Sequence, residues 1–542
     1  MSKLPAVLCS VILAFVGVLS SSGQGLNMIF TNSGSVYSPT NIWITVQRGQ
    51  NPASPPTGVN VPAVTYGTNQ LTWNVYTNMQ GSNTVVGNVF ANPVSLQDIN
   101  AAGGLTWLSN AASAAVYVSY GAPLNVSNYS LSGISPSATA DTNYNIPYTA
   151  FELTYIAGSG SLNNQGDITA INYFTAPVRI SSFTNATASG TPTRTVGFNP
   201  SPANTAAMLA ELQAITGNNP NTVLTNSSGQ ITRVLGPTQF GAGQPNAADF
   251  GSYTNFSAYF ASLATNNTTT VFSNSSGFNT VVNPSTNVAY ENMNVVFVLT
   301  NSVSTTTNGY AFSANGTITT KTIDYAVGGN PSSTITNVYS DVTFSVTPGA
   351  NQTELAAAFT YYGDYSPDTM GTSIVLGGAG WTSFSNAATA NGFIDGGGNP
   401  AATIVYAQIP GEISTGYDAG FPGSTNTVPQ YPSTPLGQLA SAEWWLLTNV
   451  IGFSDIQSTN GFYNQYADII YRYSSNTVYG MTYSDRFTFS SPYVSAAPSI
   501  GSWLVELGDP LHTVPEPALA AASIVLFMAF AAYKSRNRKK RA

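Results

Sequence analysis

The sequence has 542 residues, of which 43% are hydrophobic, 12% aromatic and only 7% charged, whereas about a quarter of an ordinary soluble domain is charged. Disorder requires low hydrophobicity and high charge, so this composition argues against a largely disordered chain. All 22 acidic residues lie between Asp98 and Glu516, and because such an acidic body would repel a phosphate backbone, nucleic acid is not an expected partner.

The N-terminal segment is typical of a signal peptide. Lys3 precedes a mostly apolar stretch over 4–19, and Ser21-Ser22-Gly23 offers the small residues found before a cleavage site. We therefore predict an exported protein whose leader, residues 1–23, is removed. An N-terminal membrane anchor is the alternative, which the short apolar run disfavours.

The body between the two ends is predicted to be mostly strands. Residues 115–120 and 294–300 are rich in β-branched and aromatic side chains, as strands are. Asn315-Gly316, flanked by strand-like residues over 310–320, predicts a two-residue hairpin.

Helices are predicted at three places. Ser201-Pro202 can cap and begin a helix that Gly217 ends. Phe256, Tyr259, Phe260 and Leu263 follow the spacing of an amphipathic helix. A third helix is predicted over 439–451.

The inventory of reactive side chains restricts the chemistry. Cys9, in the leader, is the only cysteine, and His512 is the only histidine. A zinc, haem or iron–sulfur site and a catalytic triad that uses histidine are therefore not expected, and we predict no metal and no cofactor. Carboxylate chemistry remains, and glycoside hydrolysis suits it because two carboxyl groups suffice.

Six segments, in chain order, resemble the β-1,3-glucanases of glycoside hydrolase family 64, relatives of the thaumatin-like proteins. They are AVYVSYGAPL (115–124), FELTY (151–155), GDITAINYFTAP (166–177), RVLGP (233–237), YNQYA (463–467) and YGMTYSD (479–485). They resemble the family segments VYFSxGxPL, FEFTY, NxTxVDxFGxP, RILGP, YNxYA and YGFxYDD. The resemblance spans nearly all of the predicted mature chain.

The resemblance implies that Glu152 is the general acid. On a strand, Glu152 shares a face with Ala150 and Thr154, while Phe151 and its alternate neighbours point the other way. This pattern predicts a carboxyl on the open face of a half-buried strand, where burial beside Phe151 can raise its pKa. A surface glutamate on an edge strand is the alternative interpretation.

The sequence departs from the family at the general base. The aspartate of VDxFG is replaced by Asn172, and an amide cannot accept a proton from water at neutral pH. Asp167 lies five residues earlier, an odd offset, so on a regular strand it faces away from Asn172. Asp485 matches one carboxylate of the closing segment, while the adjacent family aspartate is Arg486. Asp167 and Asp485 are therefore the alternative carboxylates.

Three functions remain open at this point. The first is a β-1,3-glucanase-like hydrolase that uses Glu152 and a relocated base. The second is a non-catalytic protein that binds β-1,3-glucan or an exopolysaccharide, which Asn172 favours. The third is a purely structural matrix protein.

The fold implied by the resemblance is mainly β with an α/β part. We expect a thaumatin-like β-sandwich or barrel over 24–185 and a mixed α/β domain over 186–460, with a wide cleft between them. A β-rich insertion is expected near 266–347, and closing strands over 461–512 are expected to return to the first domain.

The C-terminal tail, residues 513–542, combines three features. Pro515-Glu516-Pro517 precedes an apolar run over 518–533, slightly short for a membrane span, and a basic cluster over 534–541 that would stay on the cytoplasmic side. A plain membrane anchor is the simplest interpretation. The ordered combination resembles the PEP C-terminal sorting signal, which exosortase-type proteases process in Gram-negative bacteria that make exopolysaccharide. This implies transient anchoring in the inner membrane, then display at the cell surface or in the extracellular matrix.

Overall fold

The computed structural model describes residues 25–48, 61–80, 83–126, 134–156, 164–240, 253, 257–280, 290–307, 309–325, 331–346, 374–395, 398–457, 461–481 and 484–511. The predicted signal peptide over 1–23 and the predicted sorting tail over 513–542 lie outside these residues. Among the described residues, no helix is both long enough and apolar enough to cross a membrane.

Strands dominate the described chain, which is mainly β with an α/β part, as predicted. In chain order the strands are β1 (Leu26–Gly34), β2 (Ile42–Gln47), β3 (Val64–Tyr66), β4 (Asn69–Gln70), β5 (Trp73–Gln80), β6 (Asn83–Ala91), β7 (Val94–Ser95), β8 (Leu105–Trp107), β9 (Ala111–Tyr120), β10 (Tyr148–Tyr155), β11 (Gln165–Ile168), β12 (Tyr173–Phe174), β13 (Val178–Phe183), β14 (Arg194–Gly197), β15 (Val223–Thr225), β16 (Ile231–Leu235), β17 (Thr269–Thr280), β18 (Tyr290–Thr306), β19 (Gly309–Tyr325), β20 (Pro331–Val346), β21 (Ile374–Gly377), β22 (Tyr493–Ser495) and β23 (Ser502–Gly508).

The described helices are fewer than the strands, and most of them lie in the second half of the chain. They are α1 (Leu96–Ala101), α2 (Pro202–Thr216), α3 (Ser257–Thr265), α4 (Gly378–Ala390), α5 (Ala401–Ala419), α6 (Ser441–Trp444), α7 (Phe453–Ile456) and α8 (Gln465–Ser474). Short 3-10 turns lie at Pro39–Asn41, Pro237–Phe240, Leu436–Gln438 and Ser484–Arg486.

Two large sheets form the first part of the fold. The seven-stranded sheet has the order β14-β13-β23-β1-β8-β3-β4. The eight-stranded sheet has the order β22-β11-β10-β9-β2-β6-β5, with β7 also paired to β2. The closing segment therefore contributes one strand to each sheet, since β22 and β23 belong to different ones. A three-stranded sheet has the order β12-β16-β15.

The two large sheets pack face to face as a sandwich. Phe151 and Leu153 of β10 are fully buried and belong to the same core as Trp503 of β23. The sheets approach so closely at Gly166 that a Cβ there would lie 2.3 Å from the Trp503 ring. A side chain at position 166 would therefore force the sheets apart, which explains why β11 carries glycine there.

Two of the three predicted helices are confirmed. The Ser201 side chain caps α2, and the helix ends at Gly217 in a left-handed conformation (φ 60°). In α3, Tyr259, Phe260 and Leu263 are buried, as their spacing predicts.

The third predicted helix, over 439–451, is wrong, because only the single turn of α6 forms there. Farther along, the backbone N–H groups of Thr448 and Ile451 donate to the side chains of Gln430 (2.9 Å) and Asp455 (2.9 Å). Those side chains therefore take the donors that a continued helix would need.

Strands β17 to β20, in the region near 266–347 where a β-rich insertion is predicted, form a five-stranded antiparallel sheet with β21 in the order β17-β18-β19-β20-β21. One face packs against α3, α4 and α5. The hairpin predicted at Asn315-Gly316 is wrong: both residues lie inside β19, and the turn falls between Thr306 and Gly309. A Cβ at Gly316 would lie 1.8 Å from the Val298 carbonyl oxygen, so this glycine allows close strand pairing instead of a turn.

Candidate active site

Glu152 lies on the solvent-facing side of the eight-stranded sheet, which we call the open face. It is exposed, whereas its neighbours Phe151 and Leu153 are fully buried. The predicted alternation along this strand is confirmed. The alternative of an edge-strand glutamate is wrong, since β10 lies between β9 and β11.

Asp167 lies directly opposite Glu152. In the β10–β11 ladder Glu152 pairs with Asp167, and in the β10–β9 ladder it pairs with Ala115. Directly opposed residues have Cβ atoms about 4.5–5.5 Å apart and point to the same face. The two carboxylates are therefore neighbours on the open face, and we call them the carboxylate pair.

The surroundings of Glu152 favour its protonated form. Desolvation by neighbouring protein atoms raises the pKa of Glu152 above its ordinary value. Its side chain still reaches water, which limits the desolvation. Asp167 accepts a hydrogen bond from Thr169 Oγ1 (3.1 Å), and this bond directs the Asp167 carboxyl along its own strand. The raised pKa makes Glu152 the candidate proton donor.

Two tyrosines flank the carboxylate pair. Tyr493 of β22 pairs with Asp167 across the β11–β22 ladder, and its phenol hydrogen-bonds that of Tyr479. The Tyr479 backbone continues beside β11, because its N–H donates to the Ile168 carbonyl (2.9 Å) and its carbonyl accepts from the Ala170 N–H (2.8 Å). The YGMTYSD segment therefore begins beside Asp167, which sequence reasoning did not foresee.

Asn172 is exposed, and its hydrogen-bond partners are Gly236 and Thr238, which lie outside β10 and β11. Its Oδ1 accepts a hydrogen bond from Thr238 Oγ1 (2.8 Å), and its carbonyl accepts one from the Gly236 N–H (2.8 Å). The next residue, Tyr173, contacts the Tyr148 ring at 5.4 Å. Tyr148 precedes Glu152 by four residues on β10, roughly 13 Å along the strand, so the Tyr173 ring lies at that end of β10.

The prediction that Asp167 faces away from Asn172 assumes that one regular strand contains both residues. Strand β11 ends at Ile168, so the alternation of a strand does not determine how the two side chains are oriented relative to each other. Asp167 is placed by its partner across the ladder instead.

A buried arginine anchors the end of the open face, and sequence reasoning missed it. Arg233 of β16 is fully buried, and its guanidinium lies 4.2 Å from the centre of the Tyr148 ring. It donates to the Tyr148 hydroxyl (3.0 Å) and to the carbonyls of Ile146 (2.7 Å), Tyr144 (3.0 Å), Pro136 (3.1 Å) and Asn143 (3.3 Å). Through Arg233, the RVLGP segment thus holds the loop before β10 in place. In the sequence, the RVLGP motif was the signal that could have indicated this role of Arg233.

Asp485 cannot be assigned to the carboxylate pair. Its backbone lies in the 3-10 turn Ser484–Arg486, and its side chain is outside the described part of the chain. The neighbouring Arg486 donates to the Glu412 carboxylate in an ion pair that lies on the other part of the fold, at helix α5.

Helix α5 carries a second glutamate whose pKa is raised, Glu412. Its side chain is 0% exposed, and Ser441 Oγ donates to its Oε2 (3.1 Å). Burial raises the pKa of Glu412 to about 7, although Arg486 and Ser441 oppose the rise. Asp418, on the same helix, is also buried, and burial raises its pKa well above the ordinary range.

In the part of the chain that the structure describes, no group of three or more His, Cys, Asp or Glu side chains is arranged to hold a metal ion. The open face offers acid–base chemistry by carboxylates.

The family model of glycoside hydrolase family 64, described as beta-1,3-glucanase, matches residues 63–269. This range contains Glu152, Asp167, Asn172 and Arg233. The comparison with curated proteins gave no match.

Solved structures of this family are similar in outline. A β-1,3-glucanase domain from Clostridium beijerinckii has a TM-score of 0.43 and 15% identity, over 90% of this chain and 98% of that one. A laminaripentaose-producing β-1,3-glucanase from Paenibacillus barengoltzii, solved with laminarihexaose, has a TM-score of 0.30 and 17% identity over 45% of this chain and 56% of its own. With TM-scores this low, these likenesses assign no residue of the site.

Proposed function

We propose that this protein hydrolyses β-1,3-glucan on the open face, with Glu152 as the general acid and Asp167 as the base. The observation that carries the proposal is the direct cross-strand pairing of these two carboxylates on a solvent-facing sheet. The pair also lies within the range that matches the β-1,3-glucanase family model.

The proposed roles follow from the environments of the two groups. Glycoside hydrolysis by inversion needs one carboxylic acid to protonate the leaving oxygen and one carboxylate to take a proton from water. The raised pKa of Glu152 favours the protonated form that an acid needs. The bond from Thr169 turns the Asp167 carboxyl along its own strand, in the direction of the wider separation that an inverting pair needs.

Binding without hydrolysis is the second candidate, and Asn172 favours it. The resemblance predicts the base at this position, where the chain has an amide that accepts a hydrogen bond from Thr238. In this alternative the open face binds the polymer, either β-1,3-glucan or an exopolysaccharide, and Glu152 hydrogen-bonds its hydroxyl groups.

The proposed place of action is the cell surface or extracellular matrix of a Gram-negative bacterium. The leader over 1–23 supports export, and the tail over 513–542 supports transient anchoring in the inner membrane and processing by an exosortase-type protease. An assay of cell fractions with and without residues 513–542 tests this, since loss of the tail should release the protein from the membrane fraction. An unchanged distribution would contradict it.

The function is tested by incubating the full chain with a linear β-1,3-glucan and measuring reducing ends. We expect release by the wild type and a loss of at least about 100-fold in Glu152→Gln, the scale of general acid catalysis. Glu291→Gln, the same change in a different sheet, is the matched control and should retain the wild-type rate. Co-sedimentation with insoluble glucan without any release would favour the binding candidate, and neither binding nor release would contradict both.

A further inference from the structure

The five-stranded sheet has a second face that none of the described helices packs on, and we call it the outer face. Burial alternates along β18: Val295, Phe297 and Leu299 are buried toward the helices, whereas Val296 and Val298 between them are exposed. Side chains of a strand alternate between faces, so the exposed residues all belong to the outer face.

The strand registers show which residues share this face. The two central rows are Ser273, Val298, Thr317 and Ser340, and Ser275, Val296, Thr319 and Val338. Rows on either side are Val271, Thr300, Asn315 and Thr343, and Gly277, Asn294, Lys321 and Thr336. Apart from Asn294, Asn315 and Lys321, the residues of these rows are small or β-branched, and such side chains suit a pleated surface.

Exposed apolar side chains concentrate here. Val296, Val298, Val338 and Val375 are 37%, 40%, 62% and 50% exposed. They are four of the nine large hydrophobic side chains exposed in the described part of the chain, and Val375 joins the face at its edge through its pairing with Ser345. Of the residues in these rows, only Lys321 is charged, and it lies in an outer row. Exposed valines grouped among uncharged serine and threonine side chains indicate an interaction surface.

The dimensions of the outer face suit a second copy of the chain. Its rows run from Asn292 to Ser304 on β18 and across four strands, which gives roughly 41 Å by 19 Å, or about 780 Å². A standard stable interface buries about 800 Å² on each partner. Two sheets with β-branched inner faces pack well at about 10 Å.

We propose that two copies of this protein associate through their outer faces, sheet against sheet, as a two-fold dimer. The same patch on both copies makes a closed, self-complementary contact. Val296 and Val298 occupy its centre, where interface residues contribute most. Lys321 lies toward the rim and extends its ammonium group to water. The rows contain no aromatic ring on which a sugar stacks, so a second protein sheet fits better than a polysaccharide.

The test compares two lysine substitutions in the full chain by light scattering. The wild type should have twice the monomer mass at micromolar concentration. Val298→Lys should raise the dimer dissociation constant at least about 100-fold, because like charges facing each other across an interface are strongly unfavourable. Ile335→Lys is the matched control: Ile335 is also exposed (57%) and lies on β20, but its partner Thr322 belongs to the opposite face. It should leave the dimer intact.

Cross-linking gives a second measurement that does not depend on the stability of the lysine variant. A cysteine placed by Val298→Cys should form a disulfide between copies, whereas Ile335→Cys should not. A wild type that stays monomeric up to about 100 µM overturns the proposal, as does equal cross-linking by both variants. Binding of a polysaccharide to a monomer, lost in Val298→Lys, would also overturn it by identifying another occupant.

Discussion

The open face of the eight-stranded sheet and the buried helix α5 both carry a glutamate whose pKa is raised by the same cause. Glu152 is exposed and pairs across the ladder with Asp167, whereas Glu412 is fully buried and pairs with Arg486. A shifted pKa alone therefore does not identify an active site. Access for a polymer distinguishes the two, since only the open face leaves room for a substrate beside the carboxyl group.

The largest expected effect separates the two glutamates by activity. Glu152→Gln should lower the rate of reducing-end release by about 10²–10⁴-fold, because it removes a general acid. Glu412→Gln should leave the rate per folded molecule within about twofold. Both variants are compared after circular dichroism shows that they fold. A similar loss of rate in both variants would contradict the claim that access of the substrate distinguishes Glu152 from Glu412.

The second effect concerns stability. Arg486→Ala should lower the free energy of unfolding by about 3–5 kcal/mol at pH 8, since it leaves the buried Glu412 carboxylate without its partner. Arg179→Ala is the matched control, because Arg179 pairs with Glu506 (2.6 Å) at a partly exposed site, where such pairs contribute about 1 kcal/mol or less. Denaturant unfolding measures the free energy of unfolding of both variants. Equal losses would contradict the prediction that removing the partner of the buried Glu412 costs more than removing the partner of Glu506.

A smaller effect is expected from pH. The pKa of Glu412 is about 7 when folded, against an ordinary 4.5, so between these values the folded chain holds a proton that the unfolded chain has released. The free energy of unfolding should therefore fall as the pH rises from about 4.5 to about 7, by roughly 3 kcal/mol from this group. Glu412→Gln should remove that part of the slope. An identical slope in both proteins would contradict it.

The sequence predicted local features such as strand faces and helix ends, but it did not predict which residues pair across neighbouring strands. The alternation around Glu152 predicted its face, and Ser201 and Gly217 predicted the ends of α2, because these signals lie within a few residues. Which residue faces Glu152 depends on the register between β10 and β11, and alternation alone does not fix register. Asp167 was therefore named as a candidate without its partner.

The same limit explains what was missed elsewhere. Arg486 and Glu412 are 74 residues apart in the chain, and Arg233 contacts carbonyl groups about 90 residues away. Such contacts arise from the packing of whole elements, so even the RVLGP motif, which includes Arg233, does not indicate which groups it contacts. The Asn315-Gly316 pair had a strong local signal for a hairpin, but the close approach of Val298 to Gly316 decided the outcome.

The most direct measurement compares Asp167→Asn with Asn172→Asp in the release of reducing ends from a linear β-1,3-glucan. If the carboxylate pair on the open face does the chemistry, Asp167→Asn should lower the rate by about 10²-fold or more, and Asn172→Asp should change it by no more than a few-fold. Full activity in Asp167→Asn together with a large gain in Asn172→Asp would contradict the assignment of the base to Asp167.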